Sequence, residues 1–199
     1  MKTEQGYNII EEVEDYFLNH PSFGETTKWA FTQGTIDHRV SMCRIMRMFQ
    51  KENEKVDGPM ILDRCELDLS IYCGMLGEEY SIKYERWNSI SQDLGEMVSP
   101  DLVLFFRFFP GSCEGDPRKE LAVQRRDIYL RLEEQLYCTW QEYLKDKSCS
   151  FKLIGHTQVQ EDKHREIKDI IDSTDAKRVV LTGASHAGKT TFLASMFSK

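Results

Sequence analysis

Between Ile36 and Asn53 the apolar residues Ile36, Val40, Cys43, Met46 and Phe49 return every three or four positions, with charged residues between them. That period predicts an amphipathic α-helix. Asp57-Gly58-Pro59 breaks it, and Met60-Ile61-Leu62 then runs without a polar residue into Asp63-Arg64. An unbroken apolar run that stops at a carboxylate predicts a parallel strand buried on both faces, its carboxyl end at a site. Pro100-Asp101-Leu102-Val103-Leu104-Phe105-Phe106 repeats the pattern as a turn and a strand. Phe151 to Gly155 and Arg178 to Thr182 predict two further strands, and Tyr7 to Ile10 a short one that enters the acidic stretch Glu11 to Asp15 as loop or helix. Helical periodicity returns from Asp116 to about Lys145 (Leu121, Ile128, Leu132, Leu136, Tyr143), from Glu161 to Ile171, and from Thr191 to Phe197. The polar run Asp172 to Lys177 reads as a linker. Strands separated by helices predict an α/β fold, a parallel sheet covered on both faces.

With 199 residues the chain is expected to form a single domain, 1–199, and 40% hydrophobic against 30% charged residues is ordinary globular composition. No apolar run approaches the ~18 residues that a membrane-spanning helix needs, and the charged start Met1 to Gln5 does not read as a signal peptide. These features predict a soluble, cytoplasmic protein without a membrane partner. Twenty-six Lys and Arg against 33 Asp and Glu give a charge of −7, the wrong sign for affinity built on nucleic-acid phosphates. The six cysteines contain no C-x-x-C pair and read as buried reduced thiols, and the five histidines have no metal-binding spacing.

One motif decides the chemistry. Gly183-Ala184-Ser185-His186-Ala187-Gly188-Lys189-Thr190 matches G-x-x-x-x-G-K-[ST], preceded by a strand-forming run and followed by a helix-compatible one. In such a loop the glycines let successive backbone N–H groups turn toward phosphate oxygens, and Thr191 continues into the helix. Lys189 then bridges the β- and γ-phosphates of ATP, and the Thr190 hydroxyl ligates Mg²⁺.

With the segment from about Lys177 to Lys199 placed before Met1, the chain resembles the thymidylate kinase and deoxynucleoside kinase group of P-loop kinases from end to end. The resemblance rests on the phosphate loop, Tyr7-Asn8-Ile9-Ile10-Glu11-Glu12-Val13-Glu14, the long helix, Leu62-Asp63-Arg64, Pro100 to Phe105 and the arginines near Arg118. It implies a circularly permuted P-loop sandwich with a five-stranded parallel sheet in the order 2-3-1-4-5, the strand at Arg178 central. It implies ATP and Mg²⁺ as cofactors, a small-molecule nucleoside or nucleoside monophosphate as acceptor, and, since related kinases are often dimers, a homodimer.

Several residues take roles from that resemblance. Asp63 is similar to the carboxylate that lies near Mg²⁺ and the acceptor oxygen, and Arg64 to the arginine that steadies phosphate. Glu11 stands where the family carries the acid that orients or deprotonates a 5′-hydroxyl, with Glu12 the alternative. Arg118, Arg125 and Arg126 resemble the arginines of a lid over residues 113–126, which neutralise charge on the transferred phosphoryl. Arg44, 19 residues before Asp63, is the candidate for the acceptor's phosphate, with Arg39 and Arg47 as alternatives. Trp29, Phe31 and Gln33 are candidates to stack on and hydrogen-bond a base, against the alternative that the aromatics are core.

Other functions use the same loop. A GTPase needs an N-K-x-D or T-K-x-D motif and a D-x-x-G switch, neither of which the chain has. An ATPase or nucleotide-binding module coupled to a partner stays open, as does a kinase of this fold acting on a non-nucleotide acceptor such as a nicotinamide riboside.

Overall fold

The computed structural model describes residues 6–69, 71, 99–107, 126–155, 160–184 and 189–195. The chain divides into two compact units: Met1–Ile9, Gly58–Asp63 and Ser99–Lys199 form one, and Ile10–Asp57 with Arg64–Val98 the other.

The first unit holds the sheet except for Ile10, the last residue of its first strand. Its strands are β1 (Asn8–Ile10), β2 (Met60–Asp63), β3 (Leu102–Phe106), β4 (Ser150–Ile154) and β5 (Arg178–Thr182). They lie in the order β1-β2-β5-β3-β4, and the sheet is parallel throughout. Counted along the chain, this differs from the expected 2-3-1-4-5; β5, the last of the described strands, is the central one. It bonds to β2 with Asp63 opposite Leu181 and to β3 with Phe105 opposite Thr182. Every residue of β2 and β3 is buried, as their unbroken apolar runs predict.

Helix α4 (Arg126–Leu144) covers one face of the sheet; α5 (Gln160–Thr174) and α6 (Lys189–Ser195) cover the other. Strand alternation assigns the residues to these layers. Phe105 meets Tyr137 of α4 edge-on at 5.6 Å, whereas Leu102, Leu104 and Phe106 join Ile167 and Ile171 of α5 and Phe192 and Leu193 of α6 in one core. The Asp101 carboxylate accepts from the backbone N–H groups of Lys177 and Arg178, which pins the entries of β3 and β5 together.

The predicted linker is shorter than expected. Residues 172–174 complete the last turn of α5, where Ser173 and Thr174 hydroxyls donate back to the Ile170 carbonyl, and Ala176 is buried. The helix expected from Asp116 begins, within the described residues, at Arg126. The last helix begins at Lys189 rather than Thr191.

The second unit is helical: α1 (Val13–Asn19), α2 (Gly24–Thr32) and α3 (Ile36–Asn53). Val13, Phe17, Ala30, Met42 and Met46 form its core, with Phe49 stacked on Tyr16 at 4.7 Å. Thr35 caps α3 in a reciprocal box with His38. Of the cysteines read as buried thiols, Cys43 and Cys65 are buried, but Cys149 is half-buried and Cys138 lies on the exposed side of α4. Cys73 and Cys113 lie outside the described residues. No described helix is long and apolar enough to cross a membrane.

Candidate functional site

Parallel pairing brings the carboxyl ends of β2, β5 and β3 to one edge of the sheet, and the motif's first residues lie there. Gly183 follows β5 directly with φ of +126°, a conformation open to glycine and costly for other residues. A Cβ on Gly183 would overlap the Phe106 carbonyl oxygen and come within 3.1 Å of its carbonyl carbon, so the chain passes here only because the side chain is hydrogen. Ala184 is fully buried.

Lys189 opens α6 and folds back over this turn. Its ammonium is buried and donates to the carbonyl oxygens of Gly183 at 3.2 Å and Ala184 at 3.1 Å. A buried cation costs free energy unless oxygen ligands surround it, and here the turn itself supplies them. Below the turn, the Trp140 indole N–H of α4 donates to the Thr182 hydroxyl at 3.1 Å, fixing the end of β5 to the opposite layer.

Asp63 ends β2 at the same edge, buried. It stands two residues after Ile61, whose side chain lies in the core that α6 covers, so alternation directs the carboxylate to the face from which Lys189 comes. Arg107, the residue after β3, donates through Nε to Glu133 Oε1 of α4 at 2.5 Å; Glu133 is buried, while the arginine side chain is 54% exposed. A glycine turn that admits no Cβ, a lysine ammonium held over it and a buried carboxylate on the neighbouring strand thus all stand at the carboxyl edge of the sheet. Among the described residues, no group of three His, Cys, Asp or Glu is placed to hold a metal by itself.

The second unit contains a buried network of charges. Arg64 has φ of +66° and its guanidinium pairs with Glu12. Arg47 pairs with Glu66 at 2.5 Å, both buried. Gln50 donates to the Arg64 carbonyl, Asp68 accepts from the Cys65 N–H at 2.9 Å, and Glu54 accepts from the Glu66 N–H at 3.0 Å. The segment from Arg64 to Asp68, helical from Glu66, is thereby held by the N-cap residue of α1, by α3 side chains and by the α3 C-cap.

Burial, reinforced by the nearby Glu66 and Asp68 charges, pushes the Glu54 carboxyl from 4.5 up to about 7, against the opposing hydrogen bonds from the Glu66 N–H and Gln50. Below pH 4.5 the group is protonated in folded and unfolded chains alike. Between 4.5 and about 7 only the unfolded chain ionises, so stability falls with rising pH. Full ionisation costs about 3 kcal/mol. Glu54→Gln keeps an acceptor for the Glu66 N–H and removes the charge, so urea unfolding is expected to show the variant about 3 kcal/mol more stable than wild type at pH 8 and equal to it near pH 4. Parallel pH profiles would contradict this assignment.

The acids that the sequence left as alternatives now differ: Glu11 is exposed, and Glu12 is the carboxylate on Arg64. Of the arginines considered for an acceptor's phosphate, Arg44 is exposed, Arg39 is half-buried with Nε on the Ala30 carbonyl at 3.3 Å, and Arg47 is committed to Glu66. Trp29 is 43% exposed, edge-on to His38, so it is not core; Gln33 is exposed at the end of α2. The structure brings Arg39 to the residue after Trp29. Ser185, His186, Ala187, Gly188, Arg118 and Arg125 lie outside the described residues, as do the side chains of Thr190, Thr191 and Phe31. Arg126 is exposed at the start of α4. Sequence reasoning passed over Arg107, although it follows an apolar strand just as Arg64 follows Asp63 in the pattern that singled those residues out. It also missed Glu54, Glu66 and Trp140, whose roles come from partners distant in the chain.

No family model matches the chain, and the searches of curated proteins and of solved structures returned no significant match.

Proposed function

We propose that this chain is an ATP-dependent kinase that transfers a phosphoryl group to a nucleoside or nucleoside monophosphate. The observation that carries the reading is the Lys189 ammonium held over the Gly183–Ala184 turn at the carboxyl edge of the central strand. The sheet order adds support: with β5 counted first, β1-β2-β5-β3-β4 reads 2-3-1-4-5, the order implied by the thymidylate kinase resemblance with a circularly permuted connectivity.

ATP with Mg²⁺ supplies the phosphoryl group and the charge that offsets its oxygens. Gly183 admits the phosphates close to the backbone, Lys189 exchanges its carbonyl partners for the β- and γ-phosphates, and Asp63 with Thr190 provides oxygen for the metal. The resemblance gives Arg64 the role of steadying phosphate, and Glu11, with Glu12 as the alternative, that of orienting or deprotonating a hydroxyl; of the two acids, Glu12 pairs with Arg64. Arg118 and Arg125 stabilise charge on the transferred group.

ADP release from ATP-Mg²⁺, measured against a panel of nucleosides and their monophosphates, tests the proposal. Stimulation of at least tenfold by one acceptor is expected. Slow release that no acceptor changes would overturn the kinase reading in favour of an ATPase or a partner-coupled nucleotide-binding module.

A further inference from the structure

A second cation lies close to the same turn. Lys163, in the first turn of α5, is half-buried and holds its ammonium 5.3 Å from the centre of the Phe106 ring. Phe106 is the residue whose carbonyl packs directly against Gly183, so the residue that carries the ring is the main-chain neighbour of the glycine turn. The next residue, His164, lies 5.8 Å from the Phe192 ring of α6, the helix that begins with Lys189. The first turn of α5 is thus packed on both the last residue of β3 and the helix that carries the motif lysine.

The surroundings of this ammonium are poor for a charge. Among the described residues it has no carboxylate within ion-pair distance and no hydrogen-bond acceptor, only the aromatic face; Glu166, the nearest acid that acts on it, does so at longer range. Removal from water accordingly lowers its affinity for the proton. Lys168, on the same helix, is by contrast exposed to water. Placing an ammonium instead against an aromatic ring, half out of water and beside a turn shaped for phosphate, is explained if an anion completes its coordination.

We infer that Lys163 is a nucleotide-binding residue that contacts the phosphate chain of the bound nucleoside triphosphate from the α5 side of the Gly183 turn. The inference rests on the kinase reading of that turn but assigns a residue outside the G-x-x-x-x-G-K-[ST] motif. Lys163 adds a point charge to the ground state, whereas Lys189 follows the transferred group; its loss therefore acts on nucleotide affinity more than on turnover.

The test is equilibrium binding of ATP-Mg²⁺ and of adenosine to wild type, Lys163→Met and Lys163→Arg, followed by steady-state kinetics with the best acceptor. Lys163→Met keeps an unbranched side chain of similar size and removes the charge. Its affinity for ATP-Mg²⁺ is expected to fall about tenfold or more, the consequence of one lost charge-assisted hydrogen bond, with kcat falling by less than the affinity and adenosine binding and melting temperature unchanged. Lys163→Arg is expected to restore most of the affinity. Equal ATP affinity in wild type and Lys163→Met, or an equal loss for adenosine, would overturn the inference and leave the kinase reading standing. Wild type that does not bind ATP-Mg²⁺ would overturn both.

Discussion

Lys189→Ala is expected to lower acceptor-stimulated ADP release about a thousandfold, the scale on which loss of one preorganised charge facing a phosphoryl or oxyanion group acts. Its melting temperature should stay within about 5 °C of wild type, because the substitution removes a desolvated charge along with the two hydrogen bonds that ease it. The two carbonyls it leaves, on Gly183 and Ala184, line the space vacated by the side chain and can be bridged there by a water. Separation of the two effects is the informative result. Turnover at the wild-type rate would remove the phosphate-binding assignment, and collapse of the fold would show Lys189 to be structural.

Gly183→Ala is expected to do the opposite and cost the fold about 4 kcal/mol. Part of that is the backbone, since φ of +126° is a region that alanine reaches only with strain of about 1–3 kcal/mol. The rest is steric: the new methyl meets the Phe106 main chain, which is hydrogen-bonded into the sheet and cannot rotate away as a side chain would. Gly58→Ala is the control, because Gly58 also has positive φ, +97°, but its nearest neighbour is the Asn8 amide at 3.6 Å. Only the backbone cost applies there, about 1 kcal/mol. Urea midpoints of the two variants distinguish the contributions; equal losses would mean that the Phe106 contact relaxes freely.

The regular elements were legible where one physical signal dominated. Helix α3 spans the residues its hydrophobic period marks, and β5 spans its apolar run. Helix α2 was not, because Gly24, Thr26, Thr27 and Thr32 are weak helix formers and its apolar residues are few. It is held by tertiary packing, with Ala30 and Thr27 buried and the Thr27 hydroxyl on the Met42 sulfur. The site divides in the same way. Gly183 and Lys189 could be found because their chemistry is local, a few residues apart. Arg44 and Arg47 are alike as letters on a helix, and only the turn after β2 decides that Arg47 is buried on Glu66 while Arg44 faces water. Glu54 reads as one more surface acid at a helix end, and its raised pKa exists only once the fold buries it, with the Glu66 and Asp68 charges adding to the effect.

The central place of β5 also bears on how the molecule assembles. Met60 pairs with Arg178 and Leu102 with Val179, so both inner seams of the sheet join residues far apart in the chain. Until β5 docks, β2 and β3 each present an uncovered apolar edge, a template for pairing with another chain. High contact order of this kind slows folding and prolongs that exposure. Refolding yield should therefore fall steeply with protein concentration, and a ligand that grips the loop after β5 would favour the completed sheet over its unfinished form.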